Sequence, residues 1–354
     1  MTHLEDWLVR QRSRRGVGKA KRMDPSVPAA VWHEEELLDG EVVDTMAAVV
    51  RTGGCSHDRD HGGCTMCGYA SETPLRAPTE DEYMSQVRAL AAKRGDAKWV
   101  KLYTSGSILD PDEVPPVVLE AIIEAFDDVD MLTVESRAEH ITAERVRALG
   151  DPSRTEIAIG LESACDRVLD GSIHKGMDLA QFQRAAAEVT GAGASVRTYV
   201  LLKPPFLTEA EAIDDSVEAI KAAAAAGSSV VSLNPVNVQS FTLVDRLHHM
   251  REWEPPWLWS VVEVLRRTAG NMPSATRIIS APTAGGKVRG AHNCGRCDGD
   301  VVRAIEFHRL SNDLEELEAV PGCGCKPMWR SQLDLEGLLQ GPFAPFGYRR
   351  SSGR

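Results

Sequence analysis

The sequence predicts an α/β protein, either a partial (β/α)6 barrel or an open doubly wound sheet, with a small C-terminal four-cysteine metal-binding module. Two observations predict it. Strand-like and helix-like segments alternate six times between about residues 47 and 269, and such alternation implies a parallel sheet with right-handed crossovers. Seven of the eight cysteines fall in two clusters, one directly after the first strand-like segment and one beyond residue 290.

The strands expected are 47–53, 98–104, 131–136, 156–162, 195–202 and 229–235. They are rich in Val, Ile, Leu and Tyr and end in turn residues. Helices are expected at 79–94, 112–126, 142–149, 178–192, 208–226 and 256–269. The fifth has the clearest start, because Thr208 and Glu211 have capping-box spacing. A closed barrel needs eight such units and only six are read here. Both architectures bind ligands at the C-terminal ends of the strands. Polar or glycine-rich residues stand at every one of those ends: Cys55, then Ser105-Gly106-Ser107, then Glu135 and Arg137, then Glu162, Lys203, and finally Asn234 and Asn237. The expected division is a basic, helical extension over 1–46, a core over 47–270, and the cysteine module with its tail over 271–354.

At 43% hydrophobic and 26% charged residues, the composition is that of a soluble globular protein. No apolar run approaches the ~20 residues of a membrane span. The N-terminal stretch is charged where a signal peptide needs apolar residues. A cytoplasmic protein without a membrane partner is therefore expected, and its cysteines read as metal ligands rather than disulfides. Cys165, alone in an apolar context, reads as a small buried hydrophobe. The formal net charge of −12 is unlike that of a simple nucleic-acid binder. Yet Arg10, Arg12, Arg14, Arg15, Lys19, Lys21 and Arg22 crowd one end, and Arg349, Arg350 and Arg354 the other. Such patches either bind phosphate or are solvated tails.

The first cluster is Cys55-x8-Cys64-x2-Cys67 in a loop with Gly53, Gly54, Gly62, Gly63 and Gly68. Three thiolates in one glycine-rich loop suit a cubane cluster better than structural zinc, which takes four protein ligands. Zinc with His57 or His61 as fourth ligand is the alternative. The second cluster, Cys294-x2-Cys297 and Cys323-x-Cys325, is two chelating pairs separated by 25 residues. That arrangement suits a structural zinc site, with an auxiliary [4Fe–4S] cluster as the rival. His292, Lys326 and Trp329 beside it either meet RNA or pack the module.

The ordered stretches GGCSHDRDHGGCTMCGYAS, KLYTSGSILDP, VESRAEHIT, GLES, HKGM, VLLKPPF, SLNPVNVQ, AHNCGRCDGD and GCGCKPMW run from about residue 51 to 329. With them the chain resembles the radical S-adenosylmethionine (SAM) enzymes of archaeosine formation, an elongator-like branch acting on archaeal tRNA. The cysteine spacing is longer than the compact form common among radical SAM enzymes. Met66 stands before the last cysteine where an aromatic residue is frequent, and either Met66 or Tyr69 would border the adenine. The resemblance implies a radical SAM barrel whose [4Fe–4S] cluster, on Cys55, Cys64 and Cys67, leaves one iron for SAM. It also implies that Ser105, Gly106 and Ser107 meet the SAM amino group, that Arg137 with Glu135 holds its carboxylate, and that Glu162 binds the ribose. Lys175, Lys203, Asn234, Asn237 and Gln239 face substrate or bind loop carbonyls. No catalytic side chain is singled out, because the cofactor supplies the radical. The implied reaction is that of a lyase, radical C–N cleavage of a lysine-adducted 7-deazaguanine in tRNA to give archaeosine. Implied partners are tRNA, the lysine-transferring archaeosine synthase, and an electron donor such as ferredoxin. Two alternatives remain: an elongator-like enzyme acting on another RNA base, and a non-enzymatic zinc-dependent RNA-binding protein.

Overall fold

In the computed structural model, residues 3–12, 23–270, 272 and 276–336 are described. Arg14, Arg15, Lys19, Lys21, Arg22, Arg349, Arg350 and Arg354 lie outside them. The sheet starts earlier than the apolar pattern suggests. β1 (Ala30–Leu38) and β2 (Glu41–Val49) form an antiparallel hairpin, with Ala30 opposite Val49 and Leu38 opposite Glu41. Its turn is Asp39-Gly40, both at positive φ, 48° and 87°, as a tight hairpin of this hand requires. The strand expected at 47–53 is thus the end of β2 and the loop that follows it.

The other strands match their expected positions closely. They are β3 (Trp99–Tyr103), β4 (Met131–Glu135), β5 (Thr155–Glu162), β6 (Ser195–Leu202) and β7 (Val230–Pro235), with a short unforeseen β8 (Arg277–Ser280). Strand order follows chain order from β1 to β8. The pairs β2–β3, β3–β4, β4–β5 and β7–β8 are parallel. The α/β partial-barrel class is as expected, with eight strands instead of six. Among the described residues, the α-helices of five or more residues are α1 (His3–Arg12), α2 (Ser56–His61), α3 (Glu80–Lys93), α4 (Pro116–Ala125), α5 (Ala143–Arg147), α6 (Leu179–Gly191), α7 (Glu209–Ala225), α8 (Leu243–His249), α9 (Leu258–Thr268), α10 (Asp298–Ser311) and α11 (Cys325–Glu336). The capping box at α7 is formed: the Thr208 N–H donates to Glu211 Oε2 at 2.9 Å and the Glu211 N–H to Thr208 Oγ1 at 3.2 Å. Among the described residues, no helix is long and apolar enough to cross a membrane.

The chain forms two compact units. One comprises Met1–Gly63, Cys67–Gly160 and Ala180–Arg197; the other comprises Cys64–Met66, Leu161–Leu179 and Thr198–Arg354. In the first, the sheet interior holds a buried charge network. The Lys101 ammonium, 2% exposed, reaches Glu34 at 2.9 Å and also Glu36, both on β1. Arg197 Nε donates to Glu156 at 2.7 Å, and Glu156 accepts from Thr133 Oγ1 at 2.9 Å. The Trp99 ring lies under both cations, 5.4 Å from Lys101 Nζ and 5.5 Å from Arg197 Cζ. β1 therefore supplies the carboxylates that make a buried lysine tolerable. Glu36→Ala leaves Lys101 short of charge in the core, and a loss of roughly 3–5 kcal/mol is expected, read as a lower denaturant midpoint.

Candidate functional site

The loop after β2 and the turn after β3 are tied together by a residue that the motifs do not mark. Glu113 is 1% exposed. Its Oε1 accepts from Thr52 Oγ1 at 2.6 Å and its Oε2 from the Ser107 N–H at 2.7 Å. Thr52 Oγ1 in turn accepts from the Gly54 N–H at 3.1 Å, next to Cys55. Burial pushes the Glu113 carboxyl above the ordinary carboxylate range, against the hydrogen bonds from Thr52, Ser107 and Thr104. One carboxylate thus sets the approach of the cysteine loop to the Thr104–Ser107 turn.

Gly106 shows how close that approach is. A Cβ built there would stand 2.7 Å from Cys55 Cα and would also strike Glu113 Oε2. Gly106→Ala must push Cys55 off its position, so a fall in bound metal per chain is expected, by half or more, with the overall fold retained. Metal analysis of the purified variant checks this.

Cys55 sits directly before α2 and is half-buried. The helix ends at Gly62, φ 81°, whose N–H donates to Asp58 O at 3.1 Å. A Cβ on Gly62 would meet the Val9 nitrogen at 2.7 Å and Leu8 Cβ at 2.8 Å. α1 therefore packs on this loop. His61 Nδ1 engages Glu5 at 2.9 Å, and the His57 and His61 rings lie 5.4 Å apart. Cys67 is half-buried, and Tyr69 is 55% exposed with its carbonyl accepting from Ser105 Oγ at 3.4 Å.

At β4, the Arg137 N–H donates to Ser107 Oγ at 3.0 Å, and the Ile108 N–H donates to the Glu135 carbonyl at 2.8 Å. The Arg137 guanidinium donates to Glu139 at 2.5 Å. Although burial pushes it upward, that guanidinium holds the Glu139 carboxyl below its usual range. Ser105, Gly106, Ser107, Glu135 and Arg137 thus come together in the first unit.

In the second unit, Cys64 and Met66 flank Thr65, which is fully buried. The Thr65 N–H donates to Ile173 O at 2.9 Å, its hydroxyl to Ser172 O at 2.7 Å, and its carbonyl accepts from the Leu243 N–H at 2.9 Å. Glu162, at φ 70°, accepts from Lys175 Nζ at 2.8 Å. Lys203, at φ 63°, pairs with Glu209 at 2.8 Å. Non-glycine residues at such φ are strained and collect at functional sites. Asn234 Oδ1 accepts from Ser232 Oγ at 3.1 Å, and the Gln239 carbonyl accepts from Thr242 Oγ1 at 2.7 Å. Asn237 Oδ1 is buried without a hydrogen-bond partner.

The same unit holds the four-cysteine site. The sulfurs of Cys294, Cys297, Cys323 and Cys325 all lie within 4.8 Å of one another. Cys294 to Cys323 and Cys297 to Cys325 are each 3.6 Å. No disulfide joins them. Asp298 shapes the first knuckle, accepting from the Asn293 N–H at 2.7 Å and the Gly295 N–H at 2.6 Å. Trp259 Nε1 donates to Cys325 Sγ at 3.3 Å and Asn293 Nδ2 to Cys297 Sγ at 3.4 Å. The Arg296 N–H, followed by its guanidinium, brings the Cys294 thiol down to about 6, while burial pushes Cys297 up to about 12. The exposed sulfur is thus readily a thiolate, and the buried one needs a cation to become one.

Trp329 packs this module. It is 4% exposed, and its Nε1 donates to Ser260 Oγ at 2.8 Å. Ser260 Oγ donates to Glu209 at 2.5 Å, the carboxylate that pairs with Lys203. Trp329 is therefore unavailable for stacking on a base, and the packing alternative holds for it. Lys326 lies over the Trp259 ring, 4.7 Å from its centroid, and His292 Nδ1 bonds to Gly290 O at 2.8 Å. Cys165 is half-buried rather than buried, at the start of a short helical turn, with its N–H donating to Ser163 Oγ at 3.0 Å.

A scan against models of protein families matched none. Two curated relatives cover nearly the whole chain. Archaeosine synthase subunit beta of Methanosarcina acetivorans is 33% identical over 331 residues, 91% of this chain and 94% of the relative. The protein of the same name from Thermococcus kodakarensis is 35% identical over 318 residues, 87% of this chain and 97% of the relative. Among solved structures, methylornithine synthase aligns over 94% of this chain and 92% of its own, at 13% identity and a TM-score of 0.47.

Proposed function

This chain belongs to the archaeosine synthase subunit beta family, and from that premise we propose that it is a radical SAM enzyme of tRNA modification. The observation that carries the reading is the relationship to two subunit-beta proteins over about nine-tenths of the chain. The proposed substrate is a lysine-adducted 7-deazaguanine in tRNA, and the proposed reaction is C–N cleavage leaving the formamidine of archaeosine. Because the relatives are named as a subunit, we infer a partner, the lysine-adding archaeosine synthase, together with an electron donor such as ferredoxin.

Cys55, Cys64 and Cys67 are the proposed ligands of a [4Fe–4S] cluster. Their spacing supports this, and so does the close cradle in which a Cβ on Gly106 would displace Cys55. When bound and reduced, such a cluster would supply the electron that splits SAM into methionine and a 5′-deoxyadenosyl radical. The chain's own residues have the tasks of positioning and exclusion. Gly106 leaves room for the close approach of Cys55 and Glu113. Ser105 and Ser107 offer hydroxyls for the SAM amino group, Arg137 with Glu135 a grip on its carboxylate, Glu162 an acceptor for the ribose, and Met66 or Tyr69 a wall for the adenine. The Arg137–Glu139 and Glu162–Lys175 pairs hold two of these side chains ready.

Zinc is the proposed occupant of the four-cysteine site. With Zn–S bonds of about 2.3 Å, tetrahedral sulfurs are about 3.8 Å apart. The sulfurs here, all within 4.8 Å, are close to that arrangement. A cubane, which sets its thiolates on separate irons, needs them farther apart.

Anaerobic incubation with SAM, a reductant and lysine-modified tRNA tests the reading. Formation of 5′-deoxyadenosine and of the formamidine base is expected. Unchanged tRNA and no 5′-deoxyadenosine, from protein with its cluster intact, would contradict it.

A further inference from the structure

We propose that α9 and α11, beside the four-cysteine site, carry a binding site for the phosphate backbone of the RNA substrate, formed by Lys326, Arg330 and Arg266. The inference rests on the tRNA-modifying reading above and adds where the RNA is held. The three cations line one hollow of about 310 Å³. Among the described residues, neither Lys326 nor Arg330 has a carboxylate partner. Arg266 has only Glu318 at 3.8 Å, an exposed and loose pair. Two acids share the hollow: Glu263, already engaged by Arg267 at 2.8 Å, and the exposed Asp334.

Lys326 is held unusually well for a lysine. It follows Cys325, its N–H donates to Cys323 O at 2.9 Å, and its ammonium is seated over the Trp259 ring. Its stem is therefore fixed by the metal knuckle and by an indole that itself donates to Cys325 Sγ. A cation ordered in this way binds an anion without first losing its own freedom. In a chain of net charge −12, unneutralised cations gathered in one concave place form a local positive potential that a polyanion can use. Two guanidiniums and an ammonium suit phosphodiester oxygens. They read no sequence, so the site would position the RNA rather than select the base.

The test is tRNA binding by the full-length, metal-loaded protein at several salt concentrations. The variants are R266E/R330E and, separately, K326Q, with metal content measured in each. Binding roughly tenfold weaker is expected for the double variant, and the slope of log affinity against log salt should fall by about 1 for each contact removed. Metal content should be unchanged. Variants that keep wild-type affinity and slope, while wild type binds tRNA, would overturn this site and leave the proposed reaction standing. Wild type that does not bind tRNA would count against the reaction, and the site falls with it. Inorganic phosphate provides the other arm. If it binds the hollow in a titration while the variants leave tRNA affinity untouched, the ligand is a free anion and the backbone assignment is wrong.

Discussion

Cys64→Ala is expected to abolish turnover, by more than about a thousandfold, since enzymatic accelerations begin near 10⁶ and no side chain replaces a lost cluster. The variant separates chemistry from folding. Thr65, next in the chain, is anchored on both backbone faces and through its hydroxyl by residues 172, 173 and 243. The variant should therefore keep its circular dichroism and its melting temperature within about 2 °C, because a half-buried side chain shortened by one atom costs little. Production of 5′-deoxyadenosine should fall to background. A Cys64→Ala protein that still cleaves SAM at an appreciable rate would remove Cys64 from the proposed ligand set.

Removing the second metal should do the reverse, acting on structure before chemistry. Structural zinc contributes roughly 10–16 kcal/mol of apparent binding free energy in small domains. Here Trp259 donates to Cys325 of the four-cysteine site, and Trp329 links α11 through Ser260 to the buried Glu209. Cys297→Ser, or a strong chelator, should therefore loosen residues 291–336 as a unit. The tryptophan emission should shift to the red, and protease should cut between residues 319 and 325, in the link that follows the short helix Glu315–Glu318. Glu209, the carboxylate paired with Lys203, loses the ordered Ser260–Trp329 hydrogen bonds behind it in the same event. Unchanged emission and unchanged protease resistance, with the metal shown to be gone, would mean that the module folds without it.

Much of this was legible in the sequence, and the gaps have physical reasons. The strands β3 to β7 are apolar runs between turn residues, a pattern with little competition. β1 escapes because His33-Glu34-Glu35-Glu36 reads as a solvated charge run. Glu34 and Glu36, two apart and hence on one face, turn inward only because Lys101 and Arg197 are there to meet them. β8 has just four residues, too few for a periodicity. The group of Cys294, Cys297, Cys323 and Cys325 was visible by spacing alone, since two short chelating pairs are typical of a metal site. Glu113 was not visible. In LDPDEVPP it looks like helix-start decoration, and only the fold shows it gripping two loops at once. The signal available was an acid six residues beyond Ser107, and that is not a pattern. Glu139 was missed as the partner of Arg137 for the same reason. In the sequence Trp329 reads as RNA contact or packing, because an indole beside cysteines fits either, and its hydrogen bond to Ser260 decides for packing.

One loop of this chain is proposed to hold an iron–sulfur cubane, and four other cysteines are proposed to hold a different metal. Iron, acid-labile sulfide and zinc analysis of protein purified without oxygen tests this most directly. A brown protein with about four irons, about four sulfides and about one zinc per chain is expected. A colourless protein with two zincs and no sulfide would contradict it.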